Sequence, residues 1–592
     1  MKLCKIYSSD KRFKTIVFHS KFNVVLGELK NITNLSQDSH NLGKSTLISL
    51  IDFMLLKEID KVHFLKKDIF ARHIFYMTLE NNSGQYLTIK RATENNTKIS
   101  FKMHTDRELD CRDGVIWDYE EMSLNSKDFH KNPKIILNAW LGFDVLKSEG
   151  YRKTAGYFLR TQEDYNDVFK LQKYKGKDVD WKPILFELLG FNSEHMINKY
   201  NIETEISIKE RLIEDVKNQF KVDAGERDRI KGLIEIAQAK REKITQWLDQ
   251  FDFYQREVGL NKEAVNDVEG KISRLNTERY NLDFEINQIE ESLKVKVDYS
   301  IEDTLEIYRQ VGIYFPDNLV KSYEELIEFN KKISDERMRY LVKSKNEKEV
   351  KLNEIEKDLK EQNAKRVNLL SVLKGTNTFN KYNSYRDDLI DVEREIERHL
   401  AELDSIDNVK SIQKDIKKLR DKLQKETEKL TQQIDESTIT YKNIRKDFHD
   451  FVYEILENNA MISIEVNSSE NIDFRSFFYN MENEETAQGM GHTYKKLLCA
   501  CFDLAVVKNY MNKSFYRFIY HDGCLEALDP RKQKKYLDLV RRIAEEYNIQ
   551  YILTCLSSDV PNEEEYEIKS AEVAVELSDQ ADDTGRLFGF SF

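Results

Sequence analysis

DSHNLGKSTLISLIDFMLL, residues Asp38 to Leu56, is the stretch on which the fold turns. Gly43-Lys44-Ser45-Thr46 opens a run whose apolar residues recur at helical spacing. That is the end of a phosphate loop entering an amphipathic helix. Backbone N–H groups at a helix N-terminus hold phosphate oxygens. A lysine reaches the β- and γ-phosphates, and a hydroxyl reaches Mg²⁺. Lys44 and Ser45 fit these roles, with Asn41, Gly43 and Thr46 as neighbouring ATP contacts. The loop is irregular: Asp38 stands where glycine is the rule, and Asn41 takes another place that is often glycine. Gly27 closes the preceding strand-like NVVLG (Asn23 to Gly27), so residues 28–37 read as an insertion. A lone GKST is a weak signal, and the rest of the chain has to decide its meaning.

Both ends of the chain carry strand-like runs. KTIVF (Lys14 to Phe18), HIFYMTLE (His73 to Glu80) and YLTIKR (Tyr86 to Arg91) lie in the first third. MISIEV (Met461 to Val466), FYRFIY (Phe515 to Tyr520), QYILT (Gln550 to Thr554) and EVAVEL (Glu572 to Leu577) lie in the last. Between Pro183 and Pro530 the one proline is Pro316, and helix interiors exclude proline. The middle therefore reads as two long helical tracts. Val265, Val268, Ile272, Leu275, Leu282, Ile286, Ile289 and Leu293 step by threes and fours, with Arg279 in one slot. Val392, Ile396, Leu403, Ile406, Ile412, Ile416, Leu419, Leu423 and Leu430 repeat the beat on the return. This is a coiled-coil seam with charged flanks. Charged residues make up 33% of the 592, and only 5 are proline, the composition of long solvated helices.

The expected organisation is a head from residues 1–185 and 451–592, joined in space by a hairpin. Residues 186–297 lead out, 298–330 turn back, and 331–450 return with a break near 374–384. The formal net charge of −12 confines any DNA contact to a local basic patch. With 6 cysteines there is no disulfide framework, and no run reaches the roughly 20 apolar residues of a membrane span. The chain reads as soluble and cytoplasmic, with no membrane partner.

FYRFIYHDGCLEALDPRK (Phe515 to Lys532) is a hydrophobic strand ending in an acid. Asp522 stands where a Walker B aspartate holds Mg²⁺. Ala527-Leu528-Asp529 follows at D-loop spacing. With the GKST helix and the long heptad tracts, these motifs resemble the structural-maintenance-of-chromosomes (SMC) type of ABC ATPase. Within it, DSHNLGKSTLISLIDF and GMGHTYKKLLCACFDLAV resemble the SMC-like subunits of prokaryotic Lamassu and ABC three-component defence systems. The implied fold is an α/β ABC-ATPase head built from both chain ends, with an antiparallel coiled-coil arm inserted between them.

The resemblance implies further sites. YFLRTQEDY (Tyr157 to Tyr165) is similar to a Q-loop, with Gln162 contacting Mg²⁺ beside Ser45 and Asp522 and sensing the γ-phosphate. AQGMGHTYKK (Ala487 to Lys496) is similar to a variant signature motif, in which Gly489 and Gly491 would cap ATP on the opposite head. The usual serine is missing there, leaving His492 or Thr493 as the polar group. Asp529 would lie between the heads. The family's catalytic glutamate follows the Walker B aspartate directly, but Gly523 stands here, and Glu526 is the best substitute. No switch histidine follows QYILT. Slow or partner-dependent ATP turnover is the expectation. The arm has no cysteine for a zinc hook, and no cluster of carboxylates marks a nuclease.

The resemblance implies a homodimer through the heads, double-stranded DNA as ligand, and a small accessory subunit with an effector, expected to be a nuclease. Lys57, Lys61, Lys66, Lys67 and Arg72 are the candidates for neutralising DNA phosphates. Two other readings stay open: a DNA-repair ATPase working with a nuclease on DNA ends, and a non-catalytic ATP-binding scaffold.

Overall fold

The computed structural model describes residues 1–28, 42–147, 150–171, 176–220, 224–249, 262–294, 317–369, 377–468, 470–480, 482, 484–486, 491–526, 528–560, 568–579 and 583–592. Asn41, Gly489, Ala527, residues 298–316 of the expected turn-back and 374–376 of the expected break lie outside the described residues.

The first segment runs β1 (Lys2–Ser8), β2 (Ile16–Val17), β3 (Phe22–Glu28), α1 (Lys44–Met54), β4 (Ile74–Glu80), β5 (Tyr86–Ala92), β6 (Lys98–His104), β7 (Tyr119–Ser123), α2 (Pro133–Leu141), β8 (Leu159–Arg160) and α3 (Lys182–Leu188). Among the described residues, the helices that follow are α4 (Glu194–Phe220), α5 (Arg227–Asp249), α6 (Lys262–Lys294), α7 (Asp317–Leu369) and α8 (Asn377–Glu436). The last segment runs α9 (Ile439–Leu456), β9 (Asn459–Val466), β10 (Ile472–Tyr479), β11 (Glu485–Thr486), α10 (His492–Asn509), β12 (Phe518–Asp522), α11 (Pro530–Glu546), β13 (Gln550–Leu556) and β14 (Val573–Ser578).

Met1–Tyr200 and Lys425–Phe592 form one compact unit, the head. Its central sheet is parallel, in the order β14-β3-β13-β12-β8. Strands β3 and β8 of the first segment interleave with β12, β13 and β14 of the last, so neither end can complete the sheet alone. All five residues of β12 are buried, and so are six of the seven in β13. A strand covered on both faces needs such a continuous apolar run. The second sheet is antiparallel, β2-β1-β4-β5-β6-β7. Ile6, Met77, Ile89 and Phe101 pair across it on the face toward the main core, while Tyr7, Tyr76, Lys90 and Ser100 pair on the other, where Tyr7 and Tyr76 bury with Cys111. That is the period of two that fixes sheet register. A third sheet, β11-β10-β9, lies against α9.

One apolar core joins both segments: Leu47 and Ile51 of α1, Phe502 and Val506 of α10, Tyr520 of β12 and Ile552 of β13 belong to it. Met196, Leu430 and Tyr441 are buried in that core too, so the adjoining turns of α4, α8 and α9 are part of the head. Helix ends follow their capping residues. Asn132 accepts from Lys134 N before Pro133 opens α2, and Thr438 accepts from Tyr441 N at the start of α9.

The second unit comprises Asn201–Phe315 and Val320–Gln424. Its helices pair antiparallel through apolar patches. Ile206 packs with Ile412, Ile416 and Leu419; Ile230 and Ile234 with Ile406; Ala237 and Ile244 with Val392 and Ile396; Val268 and Ile272 with Leu359. Partner numbers fall as residue numbers rise, as a hairpin requires. Each buried Ile, Leu or Val contributes about 1.5–3 kcal/mol. Asn377–Ser384, read from sequence as part of a break, is helical. Tyr382 is buried there, and that packing outweighs the weak helix propensity of the Asn-containing stretch. The fold class is therefore an α/β head assembled from both chain ends, with an antiparallel helical arm inserted in sequence between them. Among the described residues, no helix is long and apolar enough to cross a membrane.

Candidate active site

Open parallel sheets bind ligands at the carboxyl ends of their strands, and several of the expected residues gather there. Gly27 of β3, Asp522 of β12 and Leu556 of β13 sit at neighbouring strand ends through the Leu556–Gly27 and Asp522–Thr554 registers. α1 begins at Lys44 after Gly43, whose φ of +94° favours glycine. A Cβ on Gly43 would also meet Leu587 Cβ at 2.8 Å. At Gly27 a Cβ would lie 3.1 Å from Lys44 Cδ, so the strand end and the lysine stem touch closely. Ser45 Oγ donates to Asp522 Oδ2 at 2.6 Å, bridging 477 residues of sequence.

A second group adjoins the first. Gln162, just after β8, donates from Nε2 to Glu526 Oε1 at 2.8 Å. Lys496 of α10 donates from Nζ to Glu526 Oε2 and to the Gly523 carbonyl, each at 3.0 Å. Gly523 has φ +66°, and a Cβ there would lie 2.8 Å from the Glu526 carboxyl carbon and 2.9 Å from Gln162 Nε2. The Glu526 carboxylate thus occupies the space into which a side chain at position 523 would project. Placing a glutamate at 523 is therefore expected to harm the site. Gly523→Glu costs about 1–2 kcal/mol for the left-handed backbone alone and drives the new side chain into Glu526 and Gln162. A lower unfolding midpoint than wild type is the expected result, and an unchanged midpoint would show that the space is free.

The electrostatics ask for a cation. Burial raises the pKa of Asp522, while the Ser45 hydroxyl and Lys44 pull it back down and Glu526 adds to the rise. Asp559, in the turn after β13, is also raised by burial, and its carboxylate accepts from Leu556 N at 2.9 Å. Asp522 is 1% exposed and has no ion pair among the described residues. Lys44 and Lys496 are the nearby cations that lower its pKa; a buried carboxylate is unfavourable unless such charges offset it, and a hard divalent ion with oxygen ligands would add to them. The donor set fits Mg²⁺: Ser45, Asp522 and, beside them, Gln162 are the residues that would hold it.

Other expected residues stand elsewhere. Gly491 is exposed and is the N-cap of α10, which His492 begins; Thr493 is half-buried and Thr46 lies in the first turn of α1. Asp529 caps α11 by accepting from Arg531 N at 3.0 Å, and the Arg531 guanidinium lowers its pKa. No described contact joins Gly491 or Asp529 to the Ser45–Asp522 locus. Lys57 pairs with Asp52 at 2.9 Å, Lys67 lies over the Phe592 ring, and Lys61, Lys66 and Arg72 are exposed.

Sequence reading missed Lys496 and a buried network beside the site. Arg160, Asp503 and His521 are each 0% exposed. Arg160 donates to Asp503 from Nε at 2.6 Å and Nη2 at 2.9 Å, and His521 Nε2 stands 3.0 Å from Asp503 Oδ2. The available signal was a charged residue inside an apolar run: Lys496 precedes LLCACF, Asp503 follows it, and His521 ends FIYH.

A family described as an uncharacterised protein conserved in bacteria (DUF2326) matches residues 448–592. "Uncharacterized protein YydD" of Bacillus subtilis (strain 168) is 19% identical, over 96% of this chain and 95% of its own length. Among solved structures, the Smc head domain of Pyrococcus yayanosii with a coiled coil and joint is 15% identical, covering 93% of this chain and 92% of its own at a TM-score of 0.34. The Smc head domain of Pyrococcus furiosus, with an extended coiled coil and bound to the C-terminal domain of ScpA, is 12% identical, covering 94% and 90% at 0.29.

Proposed function

We propose that this chain is an SMC-like ATP-binding subunit whose head binds ATP with Mg²⁺ at the carboxyl edge of its parallel sheet. The observation that carries the reading is the Ser45–Asp522 hydrogen bond. It brings the helix after a GKST loop to the acid that ends β12, in a sheet that only the two chain ends together complete. In this reading the N–H groups at the start of α1 and the Lys44 ammonium hold the phosphates. Bound between Ser45 and Asp522, Mg²⁺ would neutralise phosphate charge. Gln162 and Glu526, hydrogen-bonded to each other, flank the locus, and Glu526 orients and deprotonates the attacking water.

Gly491 and Asp529 fall to the opposite head. Both are exposed, and Gly491 heads a helix whose N-terminus suits phosphate. ATP would then join two copies of the chain, because its γ-phosphate gains contacts from both. Double-stranded DNA would run along the exposed Lys61, Lys66, Lys67 and Arg72. Head engagement on DNA would release or activate an associated effector, with an accessory subunit, against phage or plasmid DNA.

The test is ATP turnover of the full chain with and without double-stranded DNA, alongside Glu526→Gln. Loss of a general base is expected to lower kcat by about 100-fold or more, while ATP binding persists and ATP-dependent dimers last longer in light scattering. Unchanged turnover in Glu526→Gln would remove that residue from the chemistry.

A further inference from the structure

Lys496 has a setting that surface lysines do not. Its side chain is 7% exposed, against 31% for Glu526. Two of its protons go to Glu526 Oε2 and the Gly523 carbonyl, and the ammonium lies 6.0 Å from the centre of the Tyr165 ring. Desolvating an ammonium is costly unless fixed acceptors receive it, and here a carboxylate, a carbonyl and an aromatic face all do. Lys496 joins α10 to the turn after β12 through these bonds. Gln162 restrains the other oxygen of the same carboxylate. Glu526 is therefore gripped at both oxygens, in the space that the missing side chain of Gly523 leaves to it.

Lys496 also stands five residues past Gly491, on the helix whose exposed N-terminus is proposed above to meet the opposite head. A shift of that helix would move the ammonium, and the carboxylate with it. Resting on the nucleotide-site reading above, we infer that Lys496 is a positioning residue for ATP turnover. It holds the Glu526 carboxylate at the end of β12 and ties that placement to α10. A glutamate on a turn four residues past the strand needs such an anchor, because the strand itself does not fix it.

The experiment measures phosphate release by the full chain with ATP, Mg²⁺ and double-stranded DNA, for Lys496→Met, Lys496→Arg, Glu526→Gln and the Lys496→Met/Glu526→Gln pair. Thermal unfolding is recorded for each, and Lys496→Gln serves if the Met variant does not fold. Misplacing a catalytic group by about 1 Å costs on the order of 100-fold. Lys496→Met is thus expected to lower kcat about 10- to 100-fold with KM within about twofold. The Arg variant recovers most of the loss, and the double variant is no slower than Glu526→Gln alone. If Glu526→Gln loses turnover while Lys496→Met keeps it, Lys496 positions nothing and the carboxylate role stands. If Lys496→Met raises KM with kcat intact, the lysine binds phosphate instead and the inference is overturned. If Glu526→Gln itself changes nothing, the reading of the carboxylate falls, and this inference falls with it.

Discussion

Asp522→Asn is expected to lower Mg²⁺-dependent ATP turnover by roughly 100-fold or more, the scale of several kcal/mol of phosphate-charge stabilisation. The carboxylate is 1% exposed and takes its hydrogen bond from Ser45. An amide of the same shape keeps that bond but removes the charge that a divalent ion needs. Because burial raises the pKa of Asp522, the neutral amide also relieves a buried charge, so the folded head should not be weakened. The expected signature is an unfolding midpoint at or above that of wild type, with Mg²⁺ no longer strengthening ATP binding. Phosphate-release assays and nucleotide titrations with and without Mg²⁺ check it. Retained magnesium dependence would show that Asp522 only ends a core strand.

Arg160→Met is expected to have the largest effect on stability, about 3–5 kcal/mol, the cost of stranding a buried partner charge. The guanidinium donates to Asp503 twice and to the carbonyls of Asp164, Asp167 and Val168 at 2.9, 3.2 and 2.7 Å. Burial lowers the pKa of His521 and favours its neutral ring. Its Nε2–H then donates to Asp503, and its Nδ1 accepts from the Tyr551 hydroxyl at 2.6 Å. A neutral histidine cannot replace the missing cation. The same guanidinium pins the turn after Gln162, so turnover should fall as well. Denaturant unfolding of the full chain measures the loss. Arg160→Met/Asp503→Leu should be less destabilised than Arg160→Met alone. A single-variant loss below about 1 kcal/mol would mean that the pair contributes only as a solvated surface bridge does.

The head was legible where a strand reads as an uninterrupted apolar run. NVVLG, QYILT and YLTIKR lie in β3, β13 and β5, and HIFYMTLE contains β4. β8 was not, because two residues carry no periodicity, yet it positions Gln162. KLCKIYS escaped as β1 because Lys2 at its start and Lys5 at its centre mask its apolar residues, although Lys2 is buried with its ammonium on the Ser20 carbonyl. The coiled-coil seam followed from the steps of three and four. The Asn377–Ser384 helix did not, since propensity alone cannot see the packing of Tyr382. In the site, motif spacing named Ser45 and Asp522 but could not bring them to 2.6 Å. Nor could it show that Glu526 fills the space beside Gly523, which depends on a positive φ and not on residue order.

The most direct test of the central claim is a structure of the full chain with a non-hydrolysable ATP analogue and Mg²⁺. The account predicts the phosphates at the start of α1 beside Lys44, with one metal ion shared by Ser45 and Asp522. Nucleotide bound anywhere else, or a metal ion that touches neither side chain, would contradict it.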